Sequence, residues 1–137
     1  MIRLIIRGKP YAWYFLAGWL LAIITISSIP SLPTVKIHTE KSDIRLDYLI
    51  HFCEYGVLAF LAFLAFAGND FRLRFKKSSV ISLCLIAFAI VDEFHQKLIP
   101  GRAFNVKDIY SNIIGIVAAI IFCTILFRNI SGMKKSA

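Results

Sequence analysis

The sequence predicts an all-α fold, a four-transmembrane-helix bundle with both termini cytoplasmic, and three observations carry that prediction. The first is composition. Of 137 residues, 58% are hydrophobic and mean hydropathy is +0.73, too apolar for a water-soluble domain of this size. The second is spacing: residues 11–29, 48–67, 79–98 and 109–127 form windows of about 19 to 20 residues, the length that crosses hydrocarbon. The third is the placement of the 16 Lys and Arg residues. Ten lie before the first window, between the second and third, or after the fourth: Arg3, Arg7, Lys9, Arg72, Arg74, Lys76, Lys77, Arg128, Lys134 and Lys135. The other six, Lys36, Lys41, Arg45, Lys97, Arg102 and Lys107, lie around the alternate connections. That bias puts both termini in the cytoplasm and the two other connections outside. The net charge of +8 is thus distributed in short runs at the membrane edges, which excludes nucleic acid as the partner. One domain spans residues 1–137.

Each element follows from local chemistry. Residues 1–10 are short and basic, with Gly8-Lys9-Pro10 interrupting any helix before Tyr11 opens the first span. A basic start followed by an apolar run and Ser27-Ser28 also fits a cleaved signal peptide, but Trp13 and Trp19 in a run without a clear small-x-small site favour a retained helix. Pro30 and Pro33 end that helix, and residues 31–45 form a polar loop with mixed charge. Asp43 or Asp47 can cap the second helix, which then reads L-A-F-L-A-F-L-A-F from Leu58 to Phe66, a pattern suited to helix packing. Gly68-Asn69-Asp70 breaks it before a basic turn that anchors the topology and meets anionic lipid.

The third helix carries the decisive length argument. Its uninterrupted apolar part, Val80 to Val91, covers only about 18 Å of a core about 30 Å thick. Either the segment is re-entrant, or the helix continues through Asp92, Glu93, His95 and Gln96 and buries them near the outer surface. The second option is expected, because the fourth helix needs Pro100-Gly101 to turn on the far side. Asp108 is read as the cap of that helix. Cys53, Cys84 and Cys123 lie within apolar windows, are read as buried hydrophobes, and offer no disulfide or CxxC framework.

The residues with chemistry fall into stripes. Asp47, His51 and Tyr55 recur at i, i+4, i+8; Asp92, His95 and Gln96 at i, i+3, i+4; Asp108, Asn112 and Gly115 share a face. The topology puts all three stripes at the outer helix ends, so they are expected to meet in one outward-facing pocket beneath Arg102. Buried carboxylates in a membrane need partners, and the Arg102 fork is the natural one for Glu93 or Asp108. The bland readings are that His51 bonds a helix neighbour, that Gln96 and Asn112 tie helices together, and that Gly115 permits close packing. Seven or more polar groups at one depth exceed what such gluing requires.

The runs D-Y-L-I-H-F-C-E-Y-G-V-L, D-E-F-H-Q-K-L-I-P-G-R and V-K-D-I-Y-S-N-I-I-G resemble the VanZ-like family of small bacterial membrane proteins. The resemblance covers roughly residues 43 to 120 and places its motif positions on Asp47, His51, Tyr55, Glu93, Gln96, Arg102, Asp108, Asn112 and Gly115. Tyr48 departs from it, since members often carry Lys there. The resemblance implies a multi-pass protein of the bacterial inner (cytoplasmic) membrane, associated with resistance to the glycopeptide teicoplanin. It names a class more than a reaction.

Three functions remain in view. The first is a binding module whose pocket (Asp47, His51, Tyr55, Asp92, Glu93, Gln96, Arg102, Asp108, Asn112) takes an anionic amphiphile head group: a lipid phosphate, a lipid-linked cell-wall precursor or a lipoglycopeptide. The second is a membrane hydrolase or transferase with His51, Glu93 and His95 as acid and base. The third is a proton-coupled transporter or flippase, which in a chain this small requires a homodimer. No cofactor is expected. The spacing of Asp92, His95 and His51, the nearest metal candidates, matches no HExxH-like motif.

Overall fold

The computed structural model describes residues 2–31, 36–38, 43–72 and 74–135. Among these residues, four helical segments are long and apolar enough to cross a membrane. The first is compound: α1 (Ile2–Gly8), a 3-10 turn over Lys9–Tyr11, and α2 (Ala12–Ser27). Gly8-Lys9-Pro10 therefore tightens the helix instead of breaking it. Pro10 falls at the first turn of the new segment, where its missing N–H removes no bond. The remaining spans are α3 (Asp47–Phe66), α4 (Phe75–Lys97) and α5 (Val106–Lys135).

Inside the expected loop, β1 (Lys36–His38) and β2 (Asp43–Arg45) form an antiparallel pair, with Ile37 opposite Ile44. This corrects two expectations. The connection is a short hairpin on either side of residues 39–42, which lie outside the described residues. Asp43 belongs to a strand, and the N-cap position before α3 is Leu46, with no side-chain cap. Asp47 sits in the first turn, where a carboxylate favours the helix dipole.

α4 settles the length question. It runs 23 residues without interruption, about 34 Å at the rise of an α-helix, enough for a core of about 30 Å. It is long and apolar enough for a full span, and Asp92, Glu93 and Gln96 are buried in its last turns.

α3 is the central helix. It buries Tyr55, Leu58, Ala59, Ala62 and Phe63 against the others, while Leu21, Leu83, Ile121 and Ile125 stay exposed on the outside. An apolar exterior of this extent is what lipid requires. Trp19 ties α2 to α3 by donating Nε1–H to the Glu54 carbonyl at 2.9 Å. Cys123 is buried, but Cys53 and Cys84 are exposed. The expectation that all three are buried fails for those two because their helical phase turns them outward.

Two glycines bring the elements together. Gly101 adopts φ +78°, and a Cβ there would strike Ser31. The Ser31 N–H donates to the Pro100 carbonyl at 3.1 Å, so the exit of α2 rests on the α4–α5 turn. Gly115 lies against the α3 backbone: a Cβ would collide with the Phe52 carbonyl and come within 3.1 Å of the Gly56 nitrogen. A side chain there forces α3 and α5 apart. Gly115→Ala is therefore expected to lower stability by about 1–3 kcal/mol, the range for overpacking, measured by unfolding in detergent. Gly132→Ala, where a Cβ meets nothing within 4 Å, is expected to leave stability unchanged or raise it slightly.

Candidate functional site

The end of α2, the start of α3, the end of α4, the 98–105 turn and the start of α5 lie at one end of the bundle. There the structure collects the sequence-predicted side chains into two adjoining networks.

The first centres on Asp92. Its Oδ2 accepts from the Tyr55 hydroxyl at 3.1 Å and from Gln96 Nε2 at 3.0 Å. Gln96 also reaches Ser27 Oγ at 3.4 Å, and its Oε1 accepts from Arg102 Nη2. Tyr55, Asp92 and Gln96 are all buried, so each bond is made where water is scarce and a lost partner is expensive. Through Asp92 and Gln96 together, α2, α3, α4 and the turn are joined.

The second centres on Glu93 and Asp108. Glu93 Oε1 accepts the Asn105 backbone N–H at 2.7 Å. Asn105 Nδ2 donates to Asp108 Oδ1 at 3.0 Å, and Asn105 Oδ1 accepts the Lys107 N–H at 3.1 Å. His51 Nε2 stands 3.7 Å from Asp108 Oδ2. Asn112, one turn beyond Asp108, is completely buried.

Two sequence expectations are corrected by this geometry. Arg102 does not clamp Glu93 or Asp108; it bonds the Gln96 amide, because the turn folds so that the Asn105 backbone covers Glu93. Asn105, not Asp108, caps α5, which begins at Val106, three residues ahead of the expected window. Asn105 was the missed residue. Its signal was present as Asn-x-x-Asp before an apolar run, the capping-box pattern. Ser27 had no comparable signal.

The other sequence candidates are placed as follows. Asp47 is half-buried in the first turn of α3, below His51 on its stripe. His95 is half-buried, while Asp92 is engaged by Tyr55 and Gln96. The sequence's metal candidates Asp92, His95 and His51 are thus divided. The group that can share an ion among the described residues is His51, Glu93 and Asp108, each offering one atom, all within 4.8 Å of one another.

Two cavities lie elsewhere. One of about 710 Å³, at the opposite end, is lined by Phe63, Phe71, Phe127, Arg72 and Arg128 among others. One of about 350 Å³ is an apolar groove between Phe52, Gly56 and Gly115. The polar networks line neither of these two cavities. Among the described residues, four buried side-chain atoms of the networks have no hydrogen-bond partner: His51 Nδ1, Glu93 Oε2, and both Oδ1 and Nδ2 of Asn112.

Fold and site together define a four-span helical membrane protein with a buried, acid-rich polar cluster at one bundle end. The VanZ/LLP1 family model matches residues 11–128, which is most of the chain, and the protein belongs to that family. No curated protein and no solved structure matches it.

Replacing the cap tests the local account. Asn105→Ala is expected to lower stability by about 1–2 kcal/mol, while Asn105→Asp retains most of it. Chemical unfolding in micelles measures both.

Proposed function

We propose that this VanZ-family protein binds the polar head group of an amphiphile at the cluster end of its bundle, which faces out of the bacterial cytoplasmic membrane. The observation that carries the reading is the set of four unpartnered atoms on His51, Glu93 and Asn112. Leaving such groups buried and unbonded destabilises a protein by about 1–3 kcal/mol each. A ligand that supplies partners accounts for their retention.

The cluster also narrows the chemistry. Among the described residues, Arg102 is a cation half-buried at the turn, and Asp92, Glu93 and Asp108 are buried at the same end. A bare anion fits poorly against three carboxylates. A head group with a phosphate for Arg102 and hydroxyl or amide donors for Glu93 and Asn112 fits well, and a lipid-linked cell-wall precursor has that composition. Binding such a precursor, or a lipoglycopeptide that recognises it, supplies a route to the teicoplanin resistance that the family resemblance implies. The outward orientation rests on the basic residues: Arg72, Arg74, Lys76, Lys77 and Arg128 lie at the other end, the arrangement of a cytoplasmic face.

One observation favours a second reading as an enzyme. His51 faces Asp108 with Glu93 close by, an arrangement that can relay a proton to a bound substrate.

The test is to incubate purified protein with polyprenyl phosphate and with a polyprenyl-linked saccharide, reading retention and product mass separately. Retention without a new product is expected, weakened at least about tenfold by Arg102→Ala, the loss of a charge-assisted hydrogen bond. A product whose formation is abolished by His51→Ala replaces binding with catalysis. Absence of retention across both lipids contradicts the proposal.

A further inference from the structure

We infer that His51, Glu93 and Asp108 form a binding site for a divalent transition-metal ion, with the Asn112 amide at its rim. The inference draws on the same unpartnered atoms of Glu93 and Asn112 as the head-group reading, but it concerns an ion held by the side chains themselves and is tested without lipid.

The distances point to an ion. His51 Nε2 and Asp108 Oδ2 are 3.7 Å apart, too long for a hydrogen bond. Two atoms bound to one such ion at about 2.1 Å stand roughly 3.0 to 4.2 Å apart, depending on the angle between them. The separation is that of two ligands sharing an ion. One atom of Glu93 completes a triangle with no side above 4.8 Å, so only a small closure is required.

Burial supplies an independent argument. Glu93 is 1% exposed, and its Oε2 has no partner although Oε1 is held by the Asn105 backbone. That bond fixes the carboxylate and leaves the other oxygen as a ligand. Asn112 is 0% exposed with both amide atoms unbonded, and it follows Asp108 by one helical turn on the same face. Two carboxylates beside each other repel in a medium of low dielectric. A divalent cation converts that repulsion into attraction.

The donor set indicates the class of ion. Imidazole with two carboxylates suits manganese, iron, cobalt or zinc better than calcium or magnesium, which favour all-oxygen shells. Three protein ligands leave positions open for water, for the Asn112 oxygen, or for a phosphate oxygen. Each ligand comes from a different helix: His51 from α3, Glu93 from α4, Asp108 from α5. Binding therefore couples to how the three helices pack.

The experiment uses purified untagged protein in detergent, stripped with EDTA and returned to MnCl2 or ZnCl2 without added lipid. The expected result is about one ion retained per chain after gel filtration, with a raised melting temperature. Glu93→Gln and Asp108→Asn are each expected to weaken retention at least about tenfold, and Asp70→Asn, an exposed carboxylate at the opposite end of the bundle, to leave it within about threefold. A pulsed electron paramagnetic resonance spectrum of the wild-type Mn2+ complex needs no variant to fold, and it should show coupling to one imidazole nitrogen. No retained ion, bound manganese without nitrogen coupling, or unchanged retention in folded Glu93→Gln overturns the inference. Lipid retention repeated in EDTA reads the head-group proposal separately.

Discussion

Hydrocarbon offers no hydrogen bonds, so a carboxylate carried into it must find its partners on neighbouring helices. Asp92 meets that constraint by accepting from Tyr55 on α3 and Gln96 on its own helix. Those bonds continue to Ser27 at the end of α2 and to Arg102 on the turn. The bundle end is thereby closed by polar contacts, whereas the α3–α5 seam below it is closed by glycine and shape. The first without the second would leave His51 and Asp108 too far apart to face each other. The seam places them at the same level because Gly115 lets α5 rest on the backbone at Phe52 and Gly56.

Much of this was legible in the sequence. Apolar length alone located four spans, and the short apolar part of the third required its polar end to be carried into the bundle; α4 shows that continuation. Helical periodicity put His51 and Tyr55 on one stripe and Asp108 and Asn112 on another, and both stripes face inward. Pairing was not legible. Periodicity says which face a residue occupies but not which atom a turn brings over it. So the sequence pairs the Arg102 fork with Glu93 or Asp108, while the folded turn gives the Glu93 oxygen to the Asn105 N–H and Arg102 to the Gln96 amide. The same gap explains the metal candidates: Asp92 and Glu93 are adjacent in sequence, and only the packing of α3 and α5 on α4 determines which of them meets His51. The hairpin between α2 and α3 escaped because its strands are only three residues each, too short for a period to register.

The two ends of the bundle differ in chemistry as well as in charge. At one, carboxylates, an imidazole and amides are drawn inside, where Asp92 and Glu93 accept hydrogen bonds while His51 and Asn112 keep unpartnered atoms. At the other, cations remain at the surface beside aromatic rings, with Lys9 over Phe71, Lys77 over Phe66, and Phe71 packed edge-on against Phe127. A basic, aromatic rim is what anchors a helix bundle at a lipid interface. A buried acid-rich end needs another explanation, since insulation from lipid would be achieved more simply by leucine. Recognition of a polar ligand or an ion supplies one.

The account depends on side chains from separate helices bonding each other at that end, and the α3–α4 contact is its most direct test. A double-mutant cycle of Tyr55→Phe, Asp92→Ala and their combination, followed by unfolding in bicelles, isolates the bond between them. The structure predicts a coupling of about 0.6 to 1.7 kcal/mol, the range found for polar contacts between membrane helices. Losses that simply add, to within about 0.3 kcal/mol, would mean that the two side chains do not meet.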